Sequence, residues 1–237
     1  MRFGERVVLL QGNHQDLKRH LAGVGISKVD GVIFDFGVSS PQLDDPSRGF
    51  SFQQEGPLDM RMDQTTGSTA AELVSSCPEG ELADIIFQYG EERYSRRIAR
   101  AIVRERECRP IETTGALASV IAGSVPSSYR HGRLDCATRT FQALRIAVNR
   151  ELESLEPSLR DAVDVLAPGG RICAISFHSL EDRIVKHTFR SVAQGSEARL
   201  AILTKKPVVP AEEECRANPR ARSAKLRVAE RLPEGMA

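Results

Sequence analysis

The chain has 237 residues, 41% of them apolar and 27% charged, with a net charge of +1. This is globular composition, long enough for one large domain or two modest ones, and it excludes disorder, collagen and low complexity as descriptions of the whole. No apolar run approaches the roughly 20 residues that cross a bilayer, the N-terminus lacks the pattern of a secretory signal, and the five scattered cysteines form no CxxC pair, so a cytoplasmic protein with reduced thiols is expected.

The near-neutral total hides an asymmetry. Residues 1–87 hold 7 Lys/Arg against 13 Asp/Glu, residues 88–150 hold 12 against 6, and residues 216–231 hold 6 against 1. Arginine dominates both basic blocks, and its planar fork matches phosphate as Lys does not. The pattern points to a polyanionic partner.

In chain order, Val7–Leu10 reads as a short buried strand closed by Gly12 and Asn13. A short helix from Asp16 to Leu21 ends near Gly23 and Gly25. Residues 31–37 (GVIFDFG) form a continuous apolar strand, and continuous hydrophobicity predicts burial on both faces, as in a parallel sheet covered by helices. Residues 38–67, rich in Ser, Pro, Asp and Gly, are too long for a plain connection, and such loops are usually functional.

From about Ser68 to Leu155 every strong signal is helical. Pro78 opens a helix that closes at Tyr89 and Gly90, Glu91 to Glu107 carries a ring of arginines around an apolar side, and Thr138 to Leu155 has a stripe for burial. The α/β pattern resumes with a helix at Leu159–Leu166, a stop at Ala167–Gly170, a strand at Arg171–Phe177 and a capping box at Ser179–Asp182 opening a helix to about Arg190. Leu200–Leu203 and Ala224–Ala229 are the last strand candidates. A helical block between α/β stretches reads as an inserted domain, giving segments 1–44, 45–149 and 150–237.

The richest segment starts at Asp35, an acid at a strand tip followed by Gly37, Ser39, Ser40, Pro41 and Gln42. Ligands of open α/β sheets sit outside the carboxyl ends of strands, where such loops converge. A lone Asp there would more simply cap the next turn; the run behind it favours function. His178 follows a strand with no second ligand at metal spacing, Cys173 sits on a strand as packing, and no metal is expected.

Five stretches carry a family resemblance: DFGVSSPQLDDPSRGFSFQQEGPLDMRMD (35–63), YGEERYSRRIARAI (89–102), ATRTFQALRIAVNRELESLE (137–156), LAPGGRICAISFHSLEDRIVK (166–186) and NPRARSAKLRVAER (218–231). Together they resemble the bacterial 16S ribosomal RNA cytosine-N4 methyltransferase family over nearly the whole chain. The resemblance implies an α/β class I, Rossmann-like fold with an inserted all-helical domain for RNA recognition. It also implies S-adenosyl-L-methionine as donor, and N4-methylcytidine in the 16S rRNA of the small subunit, or 30S particle, as product. By the resemblance, segments 1–44 and 150–237 are the two parts of the methyltransferase domain. Asp35 and Gln42 fall on the family's donor-binding positions, and His14 stands where the family usually has the aromatic of a Gly-Asn-Phe run.

The family's Gly-rich strand-to-helix loop and the acid ending its second strand have no counterpart here. By the resemblance Val7–Leu10 is strand three and Val32–Phe34 strand four, so the sheet is expected to miss its first two strands and to expose an apolar edge. A start codon placed too far downstream, or a fragment, is the expectation that follows.

Cytosine's exocyclic amine is conjugated with its ring and is a poor nucleophile, so an enzyme must align it with the methyl group and offer acceptors for its protons. Ser39, Ser40 and Pro41 resemble the Ser-Pro-Pro turn of DNA amino-methyltransferases, and backbone acceptors near Ser39 and Ser40 are the expected catalytic groups. The cytidine must be unstacked to be reached, with Phe50 and Phe52 either stacking faces or core. Arg93, Arg96, Arg97, Arg100, Arg139, Arg145, Arg220 and Arg222 are the expected RNA contacts. The rival readings are a catalytically silent RNA-binding or assembly protein and a protein–protein module using the exposed sheet edge.

Overall fold

A computed structural model describes residues 6–132, 134–195 and 198–233. In chain order its elements are α1 (Leu17–Gly23), β1 (Val29–Asp35), α2 (Ser40–Asp44), α3 (Ala70–Ser76), α4 (Glu79–Gly90), α5 (Ser95–Cys108), α6 (Thr114–Ser124), α7 (Ser127–Arg130), α8 (Thr138–Asn149), α9 (Glu151–Val165), β2 (Leu166–Ser176), α10 (Ser179–Val192), β3 (Leu200–Ile202), α11 (Glu212–Ala217) and β4 (Lys225–Arg231), with short 3-10 turns at His14–Asp16, Pro46–Arg48 and Pro219–Ser223. They form two compact units. One comprises Met1–Gly37 and Leu152–Ala237, the other Val38–Glu151. The divisions thus fall at 37/38 and 151/152, where the sequence reading put 44/45 and 149/150. Val38 and Leu43 pack against the core of the second unit, which draws the first boundary back.

The first unit is a mixed α/β assembly built on a four-stranded sheet in the order β1-β2-β4-β3. β1 and β2 run parallel, with Val32 opposite Ile172 and Phe34 opposite Ala174. β4 runs antiparallel to β2 and places Ala229 opposite Ile172 and Arg227 opposite Ala174. Register partners share a face, so Phe34, Ile172, Ala174, Arg227 and Ala229 form one buried face. Helix residues Leu159, Ala162, Val163, Val185 and Phe189 join Phe34, Ile172, Ala174 and Ala229 in the unit's hydrophobic core.

The opposite face, carrying Ile33, Cys173, Ile175, Leu226 and Val228, is not closed: Ile33 is 75% exposed. The expected burial of both faces of this strand is therefore corrected to burial of one. Val7–Leu10 is also corrected. Those residues form no strand and are exposed, Leu9 to 80%. Four apolar residues in a row do not make a strand without a ladder to join.

Further differences are local. Ala167–Gly170, expected as a stop, already belongs to β2, which begins at Leu166 with a register irregularity between Val29 and Gly31. The long helix expected over Thr138–Leu155 divides at Arg150, whose φ of 49° ends α8 before α9 begins. The helix expected from Glu91 starts at Ser95, because Glu91 itself is left-handed and caps α4. The cap of α10 lies one residue earlier than Ser179. His178 Nδ1 accepts from the Glu181 amide at 3.4 Å, while Glu181 Oε2 accepts from the Phe177 amide at 2.8 Å.

The second unit is helical, with a core of Leu82, Ile86, Ile98, Ile102, Leu117, Ile121, Phe141 and Leu144 among others. Thr69 and Glu72 form a reciprocal capping box that starts α3. Gly90 is where α4 and α8 meet most closely: a Cβ there would stand 2.5 Å from the Arg139 carbonyl oxygen. Among the described residues no helix is long and apolar enough to cross a membrane.

Candidate functional site

Asp35 ends β1 with its carboxylate exposed. The strand tip around it is aromatic. Phe34 and Phe36 stack at 5.2 Å between ring centroids, and the His14 ring stands edge-on to both, at 6.1 and 5.7 Å. Asn13, which caps the 3-10 turn by accepting from the Gln15 amide, presents His14 to this cluster.

Ser158 on α9 holds the imidazole. His14 Nδ1 lies 2.6 Å from Ser158 Oγ, and Ser158 Oγ donates at 2.6 Å to the Ser154 carbonyl. The hydroxyl's single proton is engaged on that carbonyl, so His14 Nδ1–H is the donor and Nε2 carries the lone pair. Burial of the ring against the phenylalanines lowers the His14 pKa below its ordinary value, in keeping with a neutral imidazole. The strand tip thus carries a flat ring with an acceptor nitrogen on its Phe34 and Phe36 side, while Asp35, in register with Ile175, presents its carboxylate on the other face.

Asp35 does not cap the next helix; Ser39 does. The Gln42 Oε1 accepts from the Ser39 amide at 2.9 Å and from Ser39 Oγ at 3.0 Å. Ser39, Ser40 and Pro41 are exposed at the start of α2, and Gln42 is half-buried with its Nε2 directed to no described partner. Gln42 therefore has a local task in addition to any ligand role.

The loop that follows is held firmly. Asp45 accepts from the Ser47 amide and hydroxyl. Arg48 donates to the carbonyls of Arg61 and Met62 while its guanidinium lies over Phe50. Asp59 binds Arg61 through both oxygens, and this pairing holds the Asp59 carboxyl down at about 2. Phe50 is buried and Phe52 packs edge-on to Phe141 at 4.8 Å, so both belong to the core of this unit.

The basic residues separate into four groups. Arg145 is committed internally: its fork meets both Glu151 oxygens at 2.8 and 2.9 Å in a largely buried pair, which corrects its expected availability to RNA. Arg139 donates to the Glu91 carbonyl, and Arg100 reaches Glu79 at 3.4 Å. Arg93, Arg96 and Arg97 are exposed on and just before α5. Arg220 and Arg222 are exposed on the Pro219–Ser223 turn of the other unit.

Three positions escaped the sequence reading. Asn149 accepts from the Met62 amide at 2.7 Å and donates to the Met60 and Arg145 carbonyls at 2.7 and 2.9 Å, tying the loop to α8. Its place at a helix end was the available signal. Ser158 gave none, being one serine on a helix. Glu92 is fully buried and accepts from the Tyr129 hydroxyl at 2.5 Å and the Tyr94 amide at 2.8 Å, although the charge pattern reads it as a solvated acid.

Comparison with known proteins finds a matching family and relatives. A family profile described as the MraW methylase family matches residues 1–232. A protein of Pelobacter propionicus named ribosomal RNA small subunit methyltransferase H is 55% identical over 98% of this chain and 78% of its own length. Proteins of the same name from Synechococcus elongatus and Syntrophus aciditrophicus are 59% and 48% identical, over 89% and 98% of this chain and 69% and 78% of their own.

Proposed function

The chain belongs to the MraW methylase family, and from that premise we propose that it is an S-adenosyl-L-methionine-dependent methyltransferase acting on the N4 amine of a cytidine in 16S rRNA. The observation that carries the reading is 48–59% identity to small-subunit rRNA methyltransferases, with the Asp35 carboxylate exposed at the end of β1. Those relatives do not favour the catalytically silent alternative.

In this reading Asp35, His14 and Gln42 are the donor-binding residues, the roles the resemblance gives to these positions, and Gln42 keeps amide protons that its helix cap does not use. When bound, S-adenosylmethionine supplies an electrophilic sulfonium methyl group. His14 is neutral there, which avoids placing a second positive charge near the sulfonium. Backbone acceptors near Ser39 and Ser40 take the amine hydrogens as they become acidic; the Ser39 carbonyl, which accepts the Leu43 amide at 3.1 Å, would do so through its second lone pair. The four-stranded sheet is read as a class I sheet without its first two strands, and the helical unit as an inserted RNA-recognition domain. The position of β1 at an edge of the sheet supports the first of these.

The test is incorporation of labelled methyl from S-adenosylmethionine into unmodified 16S rRNA, followed by nucleoside mass spectrometry. The expected product is N4-methylcytidine, lost in Asp35→Ala. Label in another nucleoside, or an Asp35→Ala variant as active as the parent, overturns the reading.

A further inference from the structure

Most arginines of the helical unit have internal partners. Arg106 donates to the Val74 and Cys77 carbonyls, Arg109 pairs with Glu105, and Arg145 pairs with Glu151. Arg93 is different. Its guanidinium carbon lies 4.8 Å from the centre of the Tyr94 ring and 4.9 Å from that of Tyr129, and these two rings meet edge to face at 4.9 Å and 69°. Among the described residues no carboxylate or carbonyl takes any of its N–H groups, and the residue is exposed.

The seat itself is rigid. Tyr129 donates its hydroxyl to the fully buried Glu92, which also accepts the Tyr94 backbone amide, so one carboxylate fixes both tyrosines. Burial, and then the neighbouring Glu92, push the Tyr129 hydroxyl up to about 12, so this anchor keeps its proton at any ordinary pH. A cation–π seat contributes about 0.5–1 kcal/mol at an exposed site and limits where the charge can go. The fork's donors are left for an anion outside the protein.

We propose that Arg93, seated against Tyr94 and Tyr129, is a preset contact for an RNA backbone phosphate, the fixed point by which the helical unit registers its substrate. The proposal rests on the rRNA reading above and goes further, naming the group recognised and separating Arg93 from the unanchored Arg96 and Arg97. A seated guanidinium meets a phosphate with less rotamer entropy left to lose. With aromatic rings against the guanidinium, its outward N–H rim suits phosphate oxygens better than the face of a base.

The experiment measures binding of the full chain to purified 16S rRNA by fluorescence anisotropy across a salt titration, with thermal melts as folding controls. Arg93→Ala should weaken binding about tenfold, the low end for a hydrogen bond to a charged group, and reduce the salt slope by about 0.7–1. Arg93→Lys should keep the slope yet lose about threefold or more in affinity, because the forked geometry goes while the charge stays. Tyr129→Phe, which keeps the ring but frees it from Glu92, should keep the slope and lose about twofold. Arg93→Ala with unchanged affinity and slope overturns the proposal while leaving the rRNA reading standing, as does full rescue by Arg93→Lys. Absence of salt-dependent binding by the parent chain overturns both.

Discussion

Asn149→Ala tests whether the loop of the helical unit is held by one side chain. Asn149 makes three hydrogen bonds at 2.7, 2.7 and 2.9 Å, two of them to the loop residues Met60 and Met62. At about 1 kcal/mol net for each bond, their removal costs about 3 kcal/mol, and the Met62 amide and Met60 carbonyl, left part-buried without a partner, push the loss upward. One relaxation opposes this. Met60 sits at φ 62°, a left-handed conformation costing roughly 1–2 kcal/mol, which a freed loop could recover. That route is closed by packing, because the Met60 side chain is fully buried and moving it would forfeit about 2 kcal/mol of hydrophobic burial. The expected loss is therefore about 3 kcal/mol, read by urea unfolding followed by circular dichroism. Asn149→Asp should be no better, since it keeps the acceptor for Met62 but turns carboxylate oxygen toward two carbonyls. A loss under about 1 kcal/mol for Asn149→Ala, or parental stability in Asn149→Asp, would refute the argument.

Gly90→Ala should cost about 2 kcal/mol by the same assay, because the added methyl meets the Arg139 carbonyl where α4 and α8 touch; a neutral result would mean that the helices separate freely. Asp59 gives a pH signature. Its hydrogen bonds from Arg61 hold its folded pKa at about 2 against 3.8, so its contribution is present above the unfolded value and disappears as pH falls through the folded one. Comparing parent and Asp59→Asn across acid pH should show a stability gap that closes between about pH 4 and 2; a constant gap would refute the linkage. His14 has its pKa lowered from 6.5, so protonating it opposes the folded arrangement, and its contribution is lost as pH falls from that value through the folded pKa. Calorimetric affinity for S-adenosylmethionine should accordingly weaken in mild acid, and His14→Phe should remove that dependence; an unchanged profile in the variant would assign the effect elsewhere.

Reading the sequence worked where a single local rule decides. The strands at β1, β2, β3 and β4 follow from short apolar runs bounded by turn residues, and α4 from Pro78 at its start and Gly90 at its end. It failed where tertiary context decides. Val7–Leu10 has strand composition but no ladder to enter, and Ile33 sits in an apolar run whose outward face has nothing packed on it. Arg150 and Glu91 adopt left-handed backbone that no pattern in their neighbours announces. At the candidate site, Asp35 stood out because a carboxylate interrupts a continuous apolar run. Asn149 and Ser158 did not, since their importance lies in partners 87 or 89 and 144 positions away. Among the arginines, counting charge could not tell Arg145, neutralised by Glu151, from Arg93, held ready by two aromatic rings.

The free margin of the sheet has a consequence for handling the protein. Among the described residues no strand pairs with the side of β1 that faces away from β2, so its backbone groups can template another strand, with Ile33 as the adhesive point. Asp30 and Asp35, both exposed on that strand, act as gatekeepers, since two such margins zipped together would crowd four carboxylates. Their neutralisation by amide substitution should turn a well-behaved solution into one that clouds with time.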